Sequence, residues 1–323
     1  MEVQAGTYVP SIGEQGSTAW FGAAINRFRP GPARWRTGKV FVVPPLAVCL
    51  LLLGCGAPAP PSNPPGPAGV SGQASPPPLP GHRTDCRYPS DVLDLRGWKL
   101  TLPVGTARKP THPEEIRQPD LANFAMSPWF QQTSDCSGVT FRAAVNAPTT
   151  SGSHYPRSEL REVTADGQDA SWSSTSGTHI MSVVEAFTHL PEGKPELVGA
   201  QIHNDSDDIT VFRLEGSSLY ITDGDNPHYK LVTDHYVLGT KYEAKFIVTN
   251  GAVQAYYNGQ LVATLPKAFT NAYFKAGAYT QANCERVAPA PCAPENYGET
   301  VIYQLDVTHA PADAVQDAGD DGD

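Results

Sequence analysis

The chain has 323 residues, 40% of them apolar and 17% charged, with 23 Lys+Arg against 33 Asp+Glu and a formal charge of −10. That apolar content can build a core and excludes wholesale disorder, while 29 Gly and 31 Pro with few charges disfavour a long-helix or coiled-coil protein. The acidic balance argues against a general nucleic-acid binder, which needs a basic footprint.

From the N-terminus, residues 40–53 (VFVVPPLAVCLLLL) form an apolar run of fourteen, preceded by Arg34, Arg36 and Lys39 and followed by Gly54, Cys55, Gly56 and Ala57. A membrane span needs roughly 20 residues. The run instead reads as the core of a secretory signal. Leu52-Leu53-Gly54-Cys55 resembles a bacterial lipobox, which makes Cys55 a lipidation candidate; a plain signal with an incidental Cys, or a short anchor, is the competing reading. Residues 57–80 hold ten prolines and no charge, the composition of an extended spacer. The expected organisation is a leader (1–55), a Pro-rich tether (56–85), a folded domain (86–309) and an acidic tail (310–323) with five Asp and no cation. The protein is expected to be exported, either as a lipoprotein on a cell envelope or in secreted form, and to meet a membrane only through that lipid.

Removing residues 1–55 leaves 18 Lys+Arg against 31 Asp+Glu, or −13, so any site for a polyanion must be locally basic on an acidic body. Four Cys remain: Cys86, Cys136, Cys284 and Cys292. An even count in an exported domain suggests two disulfides out of three pairings. Cys284–Cys292 would close a short loop rich in Pro and Ala, with Cys86–Cys136 as the second bridge. No C-x-x-C or close Cys/His pair supports zinc, and no metal site is expected.

Within the domain, period-2 or β-branched runs predict strands at Trp98–Leu102, Val139–Val145, Arg157–Val163, His179–Thr188, Glu196–His203, Thr210–Leu214, Ser218–Thr222, Tyr242–Thr249, Ala252–Tyr257, Gln260–Thr264, Tyr273–Tyr279 and Thr300–Val307. Asp223-Gly224, Asn250-Gly251 and Asn258-Gly259 punctuate them as turns. One helix is expected, over Pro119–Phe130. No fixed-length repeat appears, which disfavours a propeller or solenoid. The expected fold is all-β, a two-sheet antiparallel sandwich of jelly-roll type with a concave groove.

Three of these strands carry polar sets at i, i+2 spacing, which places each set on one face. Arg157, Glu159 and Arg161 form the first. Two guanidiniums flanking a carboxylate suit a planar anion. Gln201 and His203 form the second, with Ile202 pointing the other way; an amide can donate to a carboxylate and an imidazole can take a proton. Tyr273, Lys275 and Tyr279 form the third, with Gly277 leaving space between them. Taken singly, the first two sets read first as solvated strand faces, and the third reads equally as an edge strand blunted by its Lys. Taken together on one sheet, they suit a substrate with a carboxylate beside an acidic C–H bond.

RSELR (157–161), QIH (201–203) and YFKAGAY (273–279), in that order, resemble the signature strands of polysaccharide lyase family 7, the alginate lyases; WKLTLP (98–103) and the approach FRAAVN…YPRSELREV (141–163) are similar too. The resemblance covers about residues 90–308. It implies a β-jelly roll with a substrate groove, β-elimination at a 1,4-linked uronate, and no metal or organic cofactor. By motif position it implies that Arg157 and Gln201 contact the C5 carboxylate and that His203 and Tyr279 handle protons. Arg161, Lys275 and Tyr273 would hold substrate in the groove, and Glu159 would support the arginines. The implied partner is an anionic polysaccharide, met by a monomer. Ile202 in QIH hints at acceptance of guluronate. Hydrolysis would instead need a pair of carboxylates across the scissile bond, and only Glu159 in this set is acidic. Two rivals stay open: a lyase for another polyuronate such as glucuronan, and a tethered non-catalytic carbohydrate-binding module. Asn204-Asp205-Ser206-Asp207-Asp208 reads as a polar turn, since it lacks EF-hand spacing.

Overall fold

The computed structural model describes residues 85–311. The leader with Cys55, all of the tether except its last residue, and residues 312–323 of the tail lie outside the described residues. The described chain folds into fifteen strands: β1 (Trp98–Thr106), β2 (Lys109–Ile116), β3 (Phe130–Gln132), β4 (Val139–Ala144), β5 (Arg157–Glu162), β6 (Thr178–His189), β7 (Glu196–His203), β8 (Asp208–Glu215), β9 (Ser218–Asp223), β10 (Asn226–Thr233), β11 (Tyr242–Thr249), β12 (Ala252–Tyr257), β13 (Gln260–Pro266), β14 (Tyr273–Thr280) and β15 (Tyr297–Ala310). They form an eight-stranded sheet, β10-β9-β8-β7-β14-β5-β1-β2, and a seven-stranded sheet, β13-β12-β11-β6-β15-β4-β3.

Alternation in the sequence explains the layering. On β11 (YEAKFIVT) Tyr242, Ala244, Phe246 and Val248 are buried while the residues between them are not. On β14 the inward set is Phe274, Ala276 and Ala278, all fully buried. Leu100, Leu160, Ile202 and Phe212 from the larger sheet share one apolar core with Phe141, Met181, Phe187 and Phe246 from the smaller. Each such side chain contributes roughly 1.5–3 kcal/mol when taken fully out of water.

Three strands are absent from the sequence expectation: β3, at the edge of the smaller sheet, and β2 and β10, the terminal strands of the larger. β2 and β10 are largely exposed, and β2 (KPTHPEEI) contains two prolines, which an edge strand tolerates because an edge leaves backbone donors unpaired. The expected helix over Pro119–Phe130 is not formed. That stretch instead has a short 3-10 turn, Asp120–Asn123, followed by a tight turn in which Trp129 N and Phe130 N donate to the Met126 carbonyl at 2.8 Å each. Pro128 inside the window cannot continue a helix, and Phe130 is claimed by β3. Both bridges form as expected, Cys86–Cys136 and Cys284–Cys292.

Candidate active site

Three strands distant in sequence are adjacent in space. β14 lies between β7 and β5, antiparallel to both. The register sets Lys275 opposite Arg161 on one side and Gln201 on the other, Tyr279 opposite Arg157, and Tyr273 opposite His203. All three polar faces therefore turn to the same side of the sheet, away from the core. There they line a cavity of about 500 Å³ that receives Arg157, Arg161, Gln201, His203, Tyr273, Lys275 and Tyr279. Loop residues 150–153 and Asp205–Asp208 complete its rim.

Glu159, expected to support the arginines, does not itself line the cavity. It is 1% exposed and lies beneath the cavity floor instead of facing it. Its carboxylate receives Arg157 Nη1 at 3.1 Å and also binds Lys275 Nζ and Gln201 Nε2. One buried anion thus gathers a residue from each of the three strands. Arg161 is not in this cluster: its guanidinium lies 3.8 Å over the Tyr273 ring and 3.4 Å from Asp169. The Arg157 guanidinium lies 3.9 Å over the Tyr279 ring. Three polar atoms at the site are buried without a protein partner: Gln201 Oε1, Arg157 Nε and Arg161 Nε.

The strand geometry depends on Gly277. Its φ is +147°, and a Cβ there would stand 2.5 Å from Ser158 O and 2.8 Å from Glu159 Cα. Only glycine lets β14 approach β5 this closely. The β14–β7 register shifts between Lys275 and Tyr279, across the same residue.

A second cavity of about 580 Å³ lies elsewhere, lined in part by Trp172, His179 and His309. The buried polar groups at its centre are paired within the protein. Glu162 accepts from Trp172 Nε1 at 3.0 Å and Phe274 N at 2.9 Å and pairs with His309 at 2.6 Å. The groove, where the three polar strand sets converge, is the candidate site. Among the described residues, no group of three or more His, Cys, Asp and Glu is arranged to hold a metal ion. In the 204–208 turn Asn204 Oδ1 is used internally, accepting from Ser206 N and Asp207 N at 2.9 Å each.

Residues 93–309 match the family model described as alginate lyase. The chain is 58% identical to a crystal structure of the alginate lyase from Corynebacterium sp., with a TM-score of 0.67, covering 70% of this chain and 99% of that one. It is 45% identical to AlgAT5, an alginate lyase of polysaccharide lyase family 7, with a TM-score of 0.64, covering 69% of this chain and 99% of that one. The family-7 lyase A1-II′ is 27% identical with a TM-score of 0.57, covering 69% of this chain and 99% of that one. The comparison with curated proteins finds no match.

The chain belongs to polysaccharide lyase family 7, the alginate lyases. The two-sheet sandwich of this lyase is the family's jelly roll, and its activity is cleavage of alginate by β-elimination.

The electrostatics of the lyase groove follow from its burial. Burial alone would raise the Glu159 carboxyl, but Lys275 and Arg157 outweigh it and hold it below the usual carboxylate range. Burial pushes the Lys275 ammonium down to about 8, with Arg157 adding to the effect and Glu159 opposing it. Burial, followed by Lys275, pushes the His203 imidazole down to about 4, so it is neutral at pH 7. Its Nδ1 lies against the Asn204 carbonyl and must donate there, which leaves the lone pair on Nε2.

Sequence periodicity missed the parts of the site that lie off the strands. Ser153 is within 3.0 Å of both the Tyr279 hydroxyl and Arg157 Nη2. A loop has no period to reveal it; the one available signal was its position four residues before Arg157.

Proposed function

We propose that Arg157, Gln201, His203 and Tyr279 carry out the elimination on a single uronate ring, and that the groove accepts guluronate. The observation supporting this most directly is that all four, from three strands, line one cavity above a shared buried anion. Arg157 and Gln201 hold the carboxylate at C5 and stabilise the enolate-like charge that grows as H5 leaves, an electrostatic effect strongest in a partly dry site. The neutral His203 takes H5 on Nε2. The electron pair of the C5–H bond forms the C4=C5 double bond, the C4–O4 bond breaks, and Tyr279 gives its proton to the departing O4. A uronate carboxylate near Lys275 and Arg157 offsets the cations that depress His203, so the base strengthens when substrate arrives. In guluronate, H5 and O4 lie on opposite faces of the ring, which suits two separate proton carriers. In mannuronate they lie on one face, and Tyr279 serves as both.

Support for guluronate comes from relatives. Variants of A1-II′ are described in complex with the product GGG and the substrate GGMG, at 26% and 25% identity to this chain. The experiment is the rise in ultraviolet absorbance of unsaturated uronate on polyG, polyM and polyglucuronate. PolyG is expected to be cleaved. Tyr279→Phe and His203→Ala are each expected to abolish polyG cleavage while circular dichroism stays unchanged. PolyG activity surviving in His203→Ala would remove His203 as the base. A faster rate on polyglucuronate than on either alginate block would reassign the substrate.

The leader supports export with a lipid on Cys55, and mass spectrometry of the native N-terminus reads this directly: an acylated Cys55 is expected.

A further inference from the structure

The hydroxyl of Ser153 has four neighbours within hydrogen-bond distance. Tyr155 N donates to it at 3.2 Å and Arg157 Nη2 donates to it at 3.0 Å. Tyr279 Oη lies at 3.0 Å and the Tyr155 carbonyl at 3.2 Å. A serine hydroxyl has two lone pairs and one proton. The backbone amide and the guanidinium occupy both lone pairs. Tyr279 therefore has no acceptor at Ser153 for its own proton. Its single proton has two acceptors in reach, the Tyr155 carbonyl at 3.2 Å and Tyr279 Oη at 3.0 Å, and the shorter contact assigns it to the phenol oxygen.

We infer that Ser153 is a positioning residue for the elimination: it donates to Tyr279 Oη, turns the phenol proton into the groove, and stabilises the phenolate that forms when that proton goes to O4. The inference rests on the reading of Tyr279 as the proton donor. Arg157 completes the arrangement. Its Nη1 is tied to Glu159 and its Nη2 to Ser153, so the guanidinium that lies over the Tyr279 ring also polarises the hydroxyl aimed at Tyr279 Oη. No proton is consumed at Ser153. Tyr279 loses one proton to the leaving O4 and regains one before the next cycle, and Ser153 keeps its own throughout.

The test is steady-state kinetics on alginate with Ser153→Ala, Ser153→Thr and Tyr279→Phe, each checked for fold by circular dichroism. Losing one hydrogen bond to a developing anion predicts a kcat lower by about 10- to 100-fold in Ser153→Ala. KM should change little, because Arg157, Gln201 and Lys275 still hold the substrate. Ser153→Thr keeps the hydroxyl and should recover most of kcat. Unchanged kcat in Ser153→Ala, a change in KM alone, or no recovery in a folded Ser153→Thr would each overturn the inference. If Ser153→Ala does not fold, Ser153→Cys decides: it keeps the volume but offers a poor donor, and wild-type kcat there is also fatal. Tyr279→Phe separates the two levels. If it retains activity, the role given to Tyr279 fails. If it is inactive while Ser153→Ala is fully active, only the role given to Ser153 fails.

Discussion

Among single residues, Glu159 has the largest reach in the site although it does not line the groove. Its carboxylate is fully buried and paired with Arg157 and Lys275, and Gln201 donates to it as well. Removing one partner from a buried ion pair typically costs 3–5 kcal/mol, because a cation is left without compensation. Glu159→Gln leaves two such cations and is expected to lower unfolding stability by about 3 kcal/mol or more in urea denaturation. Activity should fall with it, since Arg157 and Gln201 both lose the anchor that aims them. A variant of wild-type stability would show that the cluster is not held through this carboxylate. The residue types of the site were legible in the sequence, because i, i+2 spacing on a strand fixes the face. What spacing could not reveal was depth: the same alternation that groups Glu159 with Arg157 and Arg161 says nothing about which side chain lies under the others. Ser153 was illegible for a different reason, since its position is set by a loop closing over β5.

Among elements, β6 and β7 meet at a costly point. Glu185 of β6 points into the space between the sheets, where Tyr242 Oη donates to Oε1 at 2.7 Å and Ala200 N at 3.3 Å, while Oε2 has no partner. Gly199 of β7 makes room for it; a Cβ there would stand 2.5 Å from Oε1. Burial pushes this carboxyl up to about 7, from an ordinary 4.5. Between those values the folded protein keeps a proton that the unfolded chain has released. Stability therefore falls as pH rises from 4.5 to 7, and the loss is complete above 7. Glu185→Gln has no such titration. Its stability relative to the parent should grow by on the order of 3 kcal/mol between pH 4.5 and pH 8, read from denaturant melts at the two values. Equal pH dependence in both proteins would contradict a buried titrating carboxyl. Strands with a clean alternation, such as β11 and β14, were readable in advance. β2 and β10 were not, because an edge strand exposed to water needs no apolar face. The rejected helix over Pro119–Phe130 had a suitable apolar content but ignored Pro128 and the pull of β4 on Phe130.

At the scale of the whole molecule, two covalent links act over very different spans. Cys86–Cys136 joins residues 50 apart and ties the start of the domain to the turn before β4, whereas Cys284–Cys292 closes a span of 8. Chain-entropy arguments scale with loop length, giving about 4 kcal/mol for the longer span and less for the shorter. Paired Cys→Ser replacement at 86 and 136 should lower the melting temperature more than replacement at 284 and 292, by differential scanning calorimetry under matched conditions. The reverse order would mean that the short bridge stabilises the folded loop itself. The sandwich could be anticipated from the run of alternating strands, but their spatial order could not. No sequence pattern places β14 between β5 and β7, since that pairing is decided by which inward apolar sets fit the common core. The insertion has a consequence for biosynthesis. Arg157 and His203 leave the ribosome well before Tyr279, yet β5 and β7 have no shared neighbour until β14 arrives. On the proposed roles, the growing chain cannot assemble the groove until β14 has been made. A product that ends before β14 lacks Tyr279 and is expected to be inactive.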